Sequence, residues 1–440
     1  MDFKNTLISK LNDKTSLIGV VGMGYVGLPI ALRFAEVGIK ALGFDVDPVK
    51  IDKLNQKQSY IEHISAQKIA KMIEADLFSA TGDFKRLADC DVVIIAVPTP
   101  LTDKKEPDLK YVVATAETIQ KFIRPGQAIS LESTTYPGTT KEHLLSRFER
   151  ADMKVGENYF LIYSPEREDP GNPDFSIHQI PKVVGGITPS CQDVGEAIYG
   201  CILDRVVKVT SPEVAELTKV FENIFRCVNI ALVNELKMLT DRMGIDVWEV
   251  IKASSTKPFG FMPFFPGPGL GGHCIPIDPY YLSWKAKEYD FSTRFIELAG
   301  EVNTSVPYWV VQKLSEALNK QKKCMNGSKI MLLGVAYKKN VDDMRESPAL
   351  VLTKLLLKAG AEVCYHDPYI PVLPHTREFQ LDMTSVPLTP ENLTKMDAVL
   401  IVTDHDNVDY QLVVNHSALV VDTRNALDRL NEKSKNIVKA

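Results

Sequence analysis

Residues 17–45 read LIGVVGMGYVGLPIALRFAEVGIKALGFD and give the clearest indication of the fold class. A short apolar run leads into three glycines, Gly22, Gly24 and Gly27, after which apolar residues recur at helical spacing. A second apolar run follows and ends at Asp45, about twenty residues beyond the glycines. A strand, a glycine-rich turn, a helix and a second strand in this order predict the first half of a Rossmann-type α/β domain.

The same turn has the residues that a dinucleotide site requires. Glycines allow a pyrophosphate to approach the backbone N–H groups at the start of the helix, and a carboxylate at the end of the second strand can accept hydrogen bonds from ribose hydroxyls. Because a carboxylate repels a 2′-phosphate, NAD is favoured over NADP. A tight turn that binds no ligand is the alternative. The expected NAD-binding residues of this segment are Gly22, Gly24, Tyr25, Val26, Gly27 and Asp45.

Two further apolar runs end in polar residues. They cover Asp91–Val97 and Ala128–Leu131. Parallel strands that are buried on both faces have continuous apolar sequences, and ligands bind at their carboxyl ends. The sequence therefore predicts that Thr99, Ser133 and Thr134 line the cofactor crevice. Plain proline-rich turns are the alternative.

A dense charged loop follows the apolar run from Tyr159 to Tyr163. Glu166 in this loop is a candidate general base, because a carboxylate near a reacting group can accept its proton. The alternative is an acid in a solvated loop, which is where glutamates are usually found.

The strongest helix pattern of the chain follows the apolar run Val206–Val209. Pro212 lies in its first turn, apolar residues recur every three or four positions, and Gly244 ends it. A helix of about nine turns is expected to bridge domains or to pack against a second subunit. Lys219 and Asn223 share one face of it, where a cation and an amide can hold an oxyanion. The alternative is a solvated face.

Residues 267–279 read GPGLGGHCIPIDP and hold one thiol, Cys274, in a loop of glycines and prolines that is costly to order. A rigid loop that presents a cysteine, with Asp278 four residues on, suits a nucleophile whose thiolate is the reactive form. A buried structural thiol is the alternative. The aromatic-rich segment 257–265 before the loop could stack on a base or belong to the core.

A second α/β pattern begins at Lys329. Its strand, helix and strand repeat the order of the first half, with His366 and Asp367 after the second strand. The glycine-rich turn is replaced by a segment that contains Lys338 and Arg345. These positively charged side chains suit the phosphates of a substrate. The sequence thus predicts an α/β protein with two Rossmann-like doubly wound domains, joined by a long central helix and a helical middle domain.

The composition argues against several classes of protein. The chain has 51 Lys and Arg against 56 Asp and Glu, a net charge of −5, so no broad basic field exists to bind nucleic acid. Its seven cysteines show no metal spacing and no disulfide pattern, so we expect no metal and a reducing, cytoplasmic environment. The uncharged run Leu17–Leu32 is broken by glycines, and we expect neither a membrane segment nor a signal peptide.

Several motifs of the chain occur in the same order in one known family. They are the turn at Gly22–Gly27, VPTP at 97–100, ESTTYPGTT at 132–140, YSPER from Tyr163, AELTK at 215–219, GPGLGGHCIPIDP and AYKKNVDDMRESP at 336–348. Over nearly all 440 residues the chain resembles the UDP-glucose/GDP-mannose dehydrogenase family. Within that family it is most similar to the bacterial UDP-N-acetyl-D-glucosamine 6-dehydrogenases.

The resemblance implies an oxidation of the C6 alcohol of a UDP-sugar to a carboxylate, with two NAD⁺ and no release of the aldehyde. Cys274 would add to the C6 aldehyde to give a thiohemiacetal, which becomes a thioester and is then hydrolysed. Lys219 and Asn223 would stabilise the oxyanions. Asp278 and a water held by Thr134 would transfer protons, with Glu166 as the base of the hydrolysis. The implied catalytic residues are Cys274, Lys219, Asn223, Asp278, Glu166 and Thr134.

The substrate contacts are implied in the same way. The C-terminal domain of the family binds the nucleotide, so the basic side chains of this domain would contact the diphosphate or the sugar. Phe264 or Phe265 would lie near the uracil. The implied substrate-binding residues are Glu166, Arg167, Lys219, Asn223, Lys257, Phe264, Phe265, Gly271, Lys338, Arg345 and Arg424.

The resemblance also implies how the chain is divided and assembled. Residues 1–205 would be an NAD-binding domain, 206–320 a helical domain for dimerisation and catalysis, and 321–440 a UDP-sugar-binding domain. Lys257 lies where family members reach into the site of a second subunit, so a homodimer built on the long helix is expected. The family's place in the synthesis of surface polysaccharides such as O-antigen is implied as well.

One departure from the family narrows the substrate. UDP-glucose dehydrogenases commonly have a lysine just before the last aspartate of the cysteine loop, whereas this chain has Ile277, and His273 precedes the thiol. This favours the acetamido-sugar branch of the family, within which the overall resemblance points to UDP-N-acetyl-D-glucosamine. UDP-GalNAc, UDP-ManNAc and UDP-glucose stay as alternatives, because epimers differ by the orientation of a single group.

Two other functions are compatible with the same sequence. A two-electron NAD-dependent dehydrogenase would use Lys219 and Asn223, and its Cys274 would be structural. A non-catalytic NAD-binding sensor would use the same fold without turnover. The number of NADH formed per sugar separates all three.

Overall fold

The first unit of the fold is organised around one eight-stranded sheet. The computed structural model describes residues 2–61, 64–102, 104–167, 177–272, 275–373, 381–430 and 434–440. The first unit comprises Met1–Glu222 and Tyr280–Ser292. Its strands are β1 (Leu17–Val21), β2 (Lys40–Phe44), β3 (Phe78–Thr81), β4 (Val92–Ile95), β5 (Gln127–Leu131), β6 (Tyr159–Tyr163), β7 (Lys182–Gly186) and β8 (Val206–Val209).

The strand order of this sheet is β3-β2-β1-β4-β5-β6-β7-β8, and all neighbouring pairs are parallel except β6 with β7. The first six strands follow the order of a dinucleotide-binding Rossmann sheet, which confirms the predicted fold. Val21 is paired with both Phe44 and Ile95. The carboxyl ends of β1, β2 and β4 therefore lie side by side.

The continuous apolar runs of these strands follow from burial on both faces. Along β4, Val92 and Ile94 belong to one hydrophobic cluster, while Val93 and Ile95 belong to the cluster on the opposite face. Side chains alternate along a strand, so a sheet covered on both sides needs apolar residues at every position.

Helices cover both faces of the first sheet. Two 3₁₀ segments are Phe84–Asp89 and Ile177–Gln179, and a π-helical turn at Thr140–Leu145 continues into α6. The helices are α1 (Phe3–Asn12), α2 (Gly27–Glu36), α3 (Pro48–Asn55), α4 (Ala66–Glu74), α5 (Lys110–Phe122), α6 (Ser146–Phe148), α7 (Pro189–Gly200) and α8 (Pro212–Met243), the last of which contributes residues to both units.

The second unit comprises Asn223–Pro279 and Thr293–Ala440. Its five strands are all parallel, in the order β10-β9-β11-β12-β13. This is the second common order of doubly wound sheets, so the prediction of two Rossmann-like halves is confirmed. The strands are β9 (Lys329–Leu333), β10 (Glu362–His366), β11 (Ala398–Ile401), β12 (Val420–Asp422) and β13 (Ile437–Lys439).

The remaining helices lie in the middle of the chain, which is helical as predicted, or between the strands of the second sheet. Two 3₁₀ segments are Lys287–Tyr289 and Ala426–Leu430. The remaining helices are α9 (Val247–Ser254), α10 (Asp278–Ala286), α11 (Arg294–Lys320), α12 (Pro348–Lys358), α13 (Pro390–Thr394) and α14 (Tyr410–His416). The proposed division at 205 and 320 into three domains stays a prediction.

One strand prediction differs from the structure, and one strand of the structure was not predicted. The strand predicted at Asp91–Val97 is shorter, because the side chain of Asp91 accepts hydrogen bonds from Lys10, Leu17 N–H and Arg124 before β4 begins. The edge strand β3 was not predicted, since its four residues are only alternately buried and include two hydroxyl side chains. In the described part of the chain, no helix is long and apolar enough to span a membrane.

Candidate functional site

The glycine-rich turn after β1 fits a bound dinucleotide. A methyl group added at Gly22, where φ is +98°, would come within 2.5 Å of the carbonyl oxygen of Ala96, and one added at Gly27 would lie 1.9 Å from Gly22 O. No described residue comes within 4 Å of a methyl group added at Gly24. Packing therefore requires the first and third glycines, whereas the open side of the second leaves room for the phosphates of NAD. The neighbouring Tyr25 packs partly against the core.

Asp45 lies at the end of β2 and is only 7% exposed. Its Oδ2 accepts hydrogen bonds from Met23 N–H at 2.9 Å and Lys50 Nζ at 3.3 Å, and its Oδ1 accepts one from Asp47 N–H at 2.9 Å. These bonds hold the carboxylate beside the glycine turn, and its oxygens have further lone pairs for ribose hydroxyls. Val26, the residue before helix α2, makes no side-chain capping hydrogen bond, so the first N–H groups of the helix can bind an anion.

The predicted crevice residues follow the carboxyl ends of β4 and β5, which are neighbours in the sheet. Ser133 is 6% exposed, and its hydroxyl donates to Val97 O at 2.7 Å. Thr99 is also buried, and its carbonyl accepts a hydrogen bond from the Tyr281 hydroxyl at 2.8 Å. Thr134 is half-buried. The structure thus brings the strand-end residues to the edge that carries the glycine turn.

Glu216 of α8 anchors the loop that follows Thr134, and sequence analysis did not identify it. Its carboxylate is fully buried and accepts hydrogen bonds from Gly138 N–H at 2.6 Å, Thr140 N–H at 2.9 Å and Thr140 Oγ1 at 2.6 Å. Burial raises the pKa of Glu216 to about 7. An acid within the apolar pattern of α8, three residues before Lys219, was the available signal.

Lys219 and Asn223 lie one turn apart on α8, as predicted. Lys219 is 7% exposed, and no described residue offers its ammonium a hydrogen-bond acceptor. The side-chain amide of Asn223 donates to the carboxylate of Asp278, and its oxygen accepts from Arg226. Both Asn223 and Asp278 are buried. Arg226 is a contact that sequence analysis did not predict.

Glu166 and Arg167 have separate partners. Glu166 Oε2 accepts a hydrogen bond from Lys182 Nζ at 2.8 Å, and its Oε1 accepts one from Arg167 N–H at 2.8 Å. The guanidinium of Arg167 makes a two-pronged ion pair with Glu222, at 3.2 and 2.6 Å, and donates to Pro181 O at 2.7 Å. Glu166 is therefore oriented by a lysine, whereas Arg167 has a carboxylate partner within the protein.

The glycine loop before Cys274 is attached to α8 at its first residue. Gly267 N–H donates to Asn234 Oδ1 at 3.0 Å, and Lys237 Nζ donates to Gly267 O at 3.1 Å. A methyl group at Gly267 would lie 2.5 Å from the guanidinium of Arg424. Burial and the charge of Arg424 lower the pKa of Lys237 to about 7. Cys274 itself, with His273, lies outside the described residues.

The far end of this loop contacts the second predicted motif. Gly272 N–H donates to Arg345 O at 3.1 Å, and a methyl group at Gly271 would lie 2.9 Å from the Tyr337 side chain. The side chain of Arg345 pairs with Asp343, with a shortest distance of 2.6 Å. The structure thus brings the glycine loop and residues 336–348 together. Lys338 of the same motif is half-buried.

The aromatic segment before the loop packs on helices of the second unit. Phe264 meets Phe225 edge to face, with ring centroids 5.6 Å apart. Phe265 is 57% exposed and stacks on Trp248 at 6.0 Å. Lys257 is exposed. The exposed face of Phe265 can pack on a base, whereas Phe264 belongs to the packing of α8.

The turn after β9 repeats the geometry of the turn after β1. Gly334 has φ +81°, and a methyl group there would lie 2.4 Å from Thr403 O. Asp367 accepts hydrogen bonds from Val335 N–H at 2.6 Å and from Tyr369 N–H at 2.8 Å, as Asp45 does from Met23 and Asp47. Here the carboxylate also pairs with the fully buried His405, 3.1 Å away. The sequence repeat between the two halves therefore corresponds to a repeated turn geometry.

Comparison with known proteins agrees with this geometry. The NAD binding domain of the UDP-glucose/GDP-mannose dehydrogenase family matches residues 16–203, the central domain residues 213–305 and the UDP binding domain residues 331–429. A UDP-N-acetyl-D-glucosamine 6-dehydrogenase from Pseudomonas aeruginosa is 35% identical over 84% of this chain and 87% of its own length. An NDP-N-acetyl-D-galactosaminuronic acid dehydrogenase from Ralstonia solanacearum is 32% identical over 92% of this chain and 95% of its own.

A solved structure is similar over almost the full length. A UDP-D-ManNAc dehydrogenase from Pyrococcus horikoshii superposes with a TM-score of 0.85 at 29% identity, covering 96% of this chain and 98% of that one. The three domain matches and the relatives above 30% identity agree with one another. The chain therefore belongs to the UDP-glucose/GDP-mannose dehydrogenase family, with the family's NAD binding domain at residues 16–203.

Proposed function

We propose that this enzyme oxidises the C6 hydroxymethyl group of UDP-N-acetyl-D-glucosamine to a carboxylate, in an NAD-dependent four-electron reaction. The observation that carries the proposal is the hydrogen bond from Asn223 to Asp278. It joins an amide on α8 to the buried acid that lies four residues after Cys274. An amide donor and a buried acid on a cysteine loop are the groups that thioester chemistry needs.

Cys274 is the nucleophile in this proposal. Bound NAD⁺ supplies the hydride acceptor for both oxidations. Cys274 forms the C–S bond that retains C6 between them, first as a thiohemiacetal and then as a thioester. Lys219 and Asn223 donate to the C6 oxygen as negative charge develops on it. Lys219 suits this role because the residue is only 7% exposed, yet no hydrogen bond joins its ammonium to the described residues.

Three further residues move protons. Asp278 and a water held by Thr134 exchange protons with the C6 oxygen, and Glu166 takes a proton from the water that attacks the thioester. The attack forms a C–O bond at C6 and breaks the C–S bond, and the electron pair of that bond returns to the sulfur of Cys274. We place the reaction in the cytoplasm, where such a thiol stays reduced.

The second unit supplies the nucleotide contacts of the proposal. Lys338, Arg345 and Arg424 donate to the diphosphate or to the sugar, since charged donors bind phosphate oxygens strongly. Phe264 or Phe265 packs near the uracil, and the exposed ring of Phe265 supports that role. Residues Glu166, Arg167 and Gly271 complete the proposed substrate contacts.

The choice of UDP-N-acetyl-D-glucosamine is supported by the relative that is 35% identical. The other relatives carry names that refer to galactosamine and mannosamine sugars, so the epimer is the finer part of the proposal. Ile277 stands where UDP-glucose dehydrogenases commonly have a lysine, and this argues against UDP-glucose.

We further propose a homodimer built on α8. This helix carries apolar side chains that are 41% to 64% exposed, at the spacing of one helical face. A continuous exposed apolar face of this length is typical of a protein interface. Lys257 then contributes to the site of the neighbouring subunit. The exposed residues are Val214, Leu217, Phe221, Phe225, Leu232, Leu239 and Met243.

The proposal is tested by offering the enzyme NAD⁺ with each of four sugars: UDP-N-acetylglucosamine, its galactose and mannose epimers, and UDP-glucose. We expect the highest kcat/KM for UDP-N-acetylglucosamine, with a carboxylate product detected by mass spectrometry. A higher kcat/KM for an epimer would overturn the substrate and keep the chemistry. An aldehyde product, or no product from any of the four, would overturn the function.

A further inference from the structure

A buried lysine links Glu166 to a second glutamate that the mechanism above does not use. Lys182 begins β7 and is 5% exposed. Its Nζ donates to Glu132 Oε2 at 2.7 Å and to Glu166 Oε2 at 2.8 Å. Glu132 follows β5, and its side chain is completely buried. One ammonium is therefore shared by two carboxylates. One of them, Glu166, is the proposed base, and the other, Glu132, has no role in the mechanism above.

The second glutamate is held by a chain of hydroxyl groups. The Tyr199 hydroxyl on α7 donates to Glu132 Oε1 at 2.7 Å and lies 2.7 Å from Ser130 Oγ. The ring of Tyr199 also faces Lys182 Nζ, 5.2 Å from its centroid. Every polar atom at this end of the network has a partner. Burying charged and polar groups costs desolvation energy. Hydrogen bonds among all members of the network offset that cost.

The charges of the network are those of one lysine and two glutamates. In the described part of the chain, Glu132 and Glu166 are the charged side chains that reach Lys182, and Tyr199 is the titratable group beside them. Burial alone would lower the pKa of Lys182, but the attraction of the two carboxylates raises it, so the lysine is protonated. Burial raises the pKa of Glu132, whereas the ammonium of Lys182 and the hydroxyl of Tyr199 oppose this rise by stabilising its carboxylate. In the described part of the chain, the guanidinium of Arg167, the residue next to Glu166, pairs with the carboxylate of Glu222.

We propose that Lys182 and Glu132 are positioning residues that set the basicity of Glu166, an inference that rests on the proposed role of Glu166 in thioester hydrolysis. Lys182 holds one oxygen of Glu166 and keeps its carboxylate ionised. Glu132 takes part of the same ammonium's attraction, so Glu166 stays basic enough to accept a proton from the attacking water. Without Glu132, a one-to-one pair with Lys182 would make Glu166 a weaker base.

The two residues have opposite effects on the reaction at low pH, and this separates the proposal from a merely structural role. The acid limb is the part of the pH profile where the hydrolysis rate falls because Glu166 becomes protonated. Lys182→Met removes a positive charge beside Glu166, so the acid limb shifts to higher pH by about one unit. Glu132→Gln removes a negative charge and keeps an acceptor for Lys182, so the limb moves down by a similar amount. The double variant removes a matched pair, and its limb lies between the two.

The measurement is the rate of the steady phase of NADH formation between pH 5 and pH 9, after rapid mixing with NAD⁺ and saturating UDP-N-acetylglucosamine. Slow hydrolysis leaves a burst of two NADH per site before the steady phase, so the burst reports that both oxidations are intact. Asp91→Asn is the matched control, because Asp91 is a buried carboxylate paired with Lys10 and Arg124 at the other end of the strands. Its acid limb is expected to be that of the wild type.

Opposite shifts of the two single variants support the proposal. Limbs that do not move, or that move in the same direction, overturn it even if the wild type gives its burst of two. If Lys182→Met does not fold, the downward shift of Glu132→Gln and the intermediate position of the double variant decide the question. A wild type that forms a single NADH per sugar would instead refute the proposed function, so the two failures are distinct.

Discussion

Asn223 donates a hydrogen bond to Asp278, and 55 residues separate the two in sequence. Asn223 lies on α8, and Asp278 is the first residue of α10, directly after the loop that holds Cys274. Both side chains are buried, where a hydrogen bond between an amide and an acid offsets part of the cost of removing them from water. This contact attaches the end of the cysteine loop to the helix that supplies Lys219.

Asn223→Ala should therefore lower kcat by about 10²- to 10³-fold, because it removes a proposed oxyanion donor and leaves Asp278 without its amide partner. The KM for the sugar should change much less. Asn229→Ala is the control on the same helix, since the Asn229 amide donates to Phe225 O of that helix at 2.7 Å. Equal losses of kcat in the two variants would contradict an oxyanion role for Asn223.

Two glycines of the first turn should respond to alanine in different ways. A methyl group at Gly24 meets no described residue within 4 Å, so Gly24→Ala should fold normally and raise the KM for NAD⁺ about tenfold or more by occupying the phosphate space. Gly27→Ala places a methyl group 1.9 Å from Gly22 O and should lower the thermal stability of the free enzyme. Steady-state kinetics and thermal unfolding measure both effects. An unchanged KM for NAD⁺ in Gly24→Ala would contradict a phosphate site beside Gly24.

Glu216 should make the stability of the enzyme depend on pH. Burial raises its pKa from 4.5 to about 7 in the folded protein. Between these values the unfolded chain loses a proton that the folded chain retains, so the free energy of unfolding falls as the pH rises, by about 3 kcal/mol in all. Above pH 7 the penalty is constant. Urea unfolding at pH 5 and pH 7.5 should show this loss in the wild type and a smaller one in Glu216→Gln; the same loss in both would assign it to other groups.

The exposed face of α8 should hold the dimer together. Leu232 is 62% exposed, and Leu232→Asp would place a charge in the proposed apolar interface. We expect sedimentation to show a dimer for the wild type and a monomer for this variant. Leu357→Asp is the control, because Leu357 of α12 is 40% exposed and lies outside the proposed interface. A wild type that sediments as a monomer would refute the homodimer.

Local signals account for what the sequence predicted well. Helix α8 was predicted from Pro212 in its first turn to Gly244, and it runs from Pro212 to Met243. Proline fits the start of a helix, and Gly244 has φ +70°, which favours glycine after its end. The apolar runs predicted the parallel strands for a similar reason, because burial on both faces leaves no polar alternation.

Contacts between residues far apart in sequence could not be predicted. Lys182 is 50 residues from Glu132, and Arg167 is 55 from Glu222, so no spacing rule connects them. Glu216 was overlooked for the same reason, since its partners Gly138 and Thr140 lie on another element. Sequence patterns indicate which elements form, whereas the pairing of buried charges depends on how those elements pack.

The proposed covalent mechanism is tested by counting the NADH formed per UDP-N-acetylglucosamine consumed at limiting sugar, in the wild type and in Cys274→Ser. For this mechanism we expect two NADH per sugar in the wild type and loss of turnover in the variant, because the thioester requires the sulfur of Cys274. One NADH per sugar in both proteins would contradict it, and would make the enzyme a two-electron dehydrogenase in which Cys274 is structural.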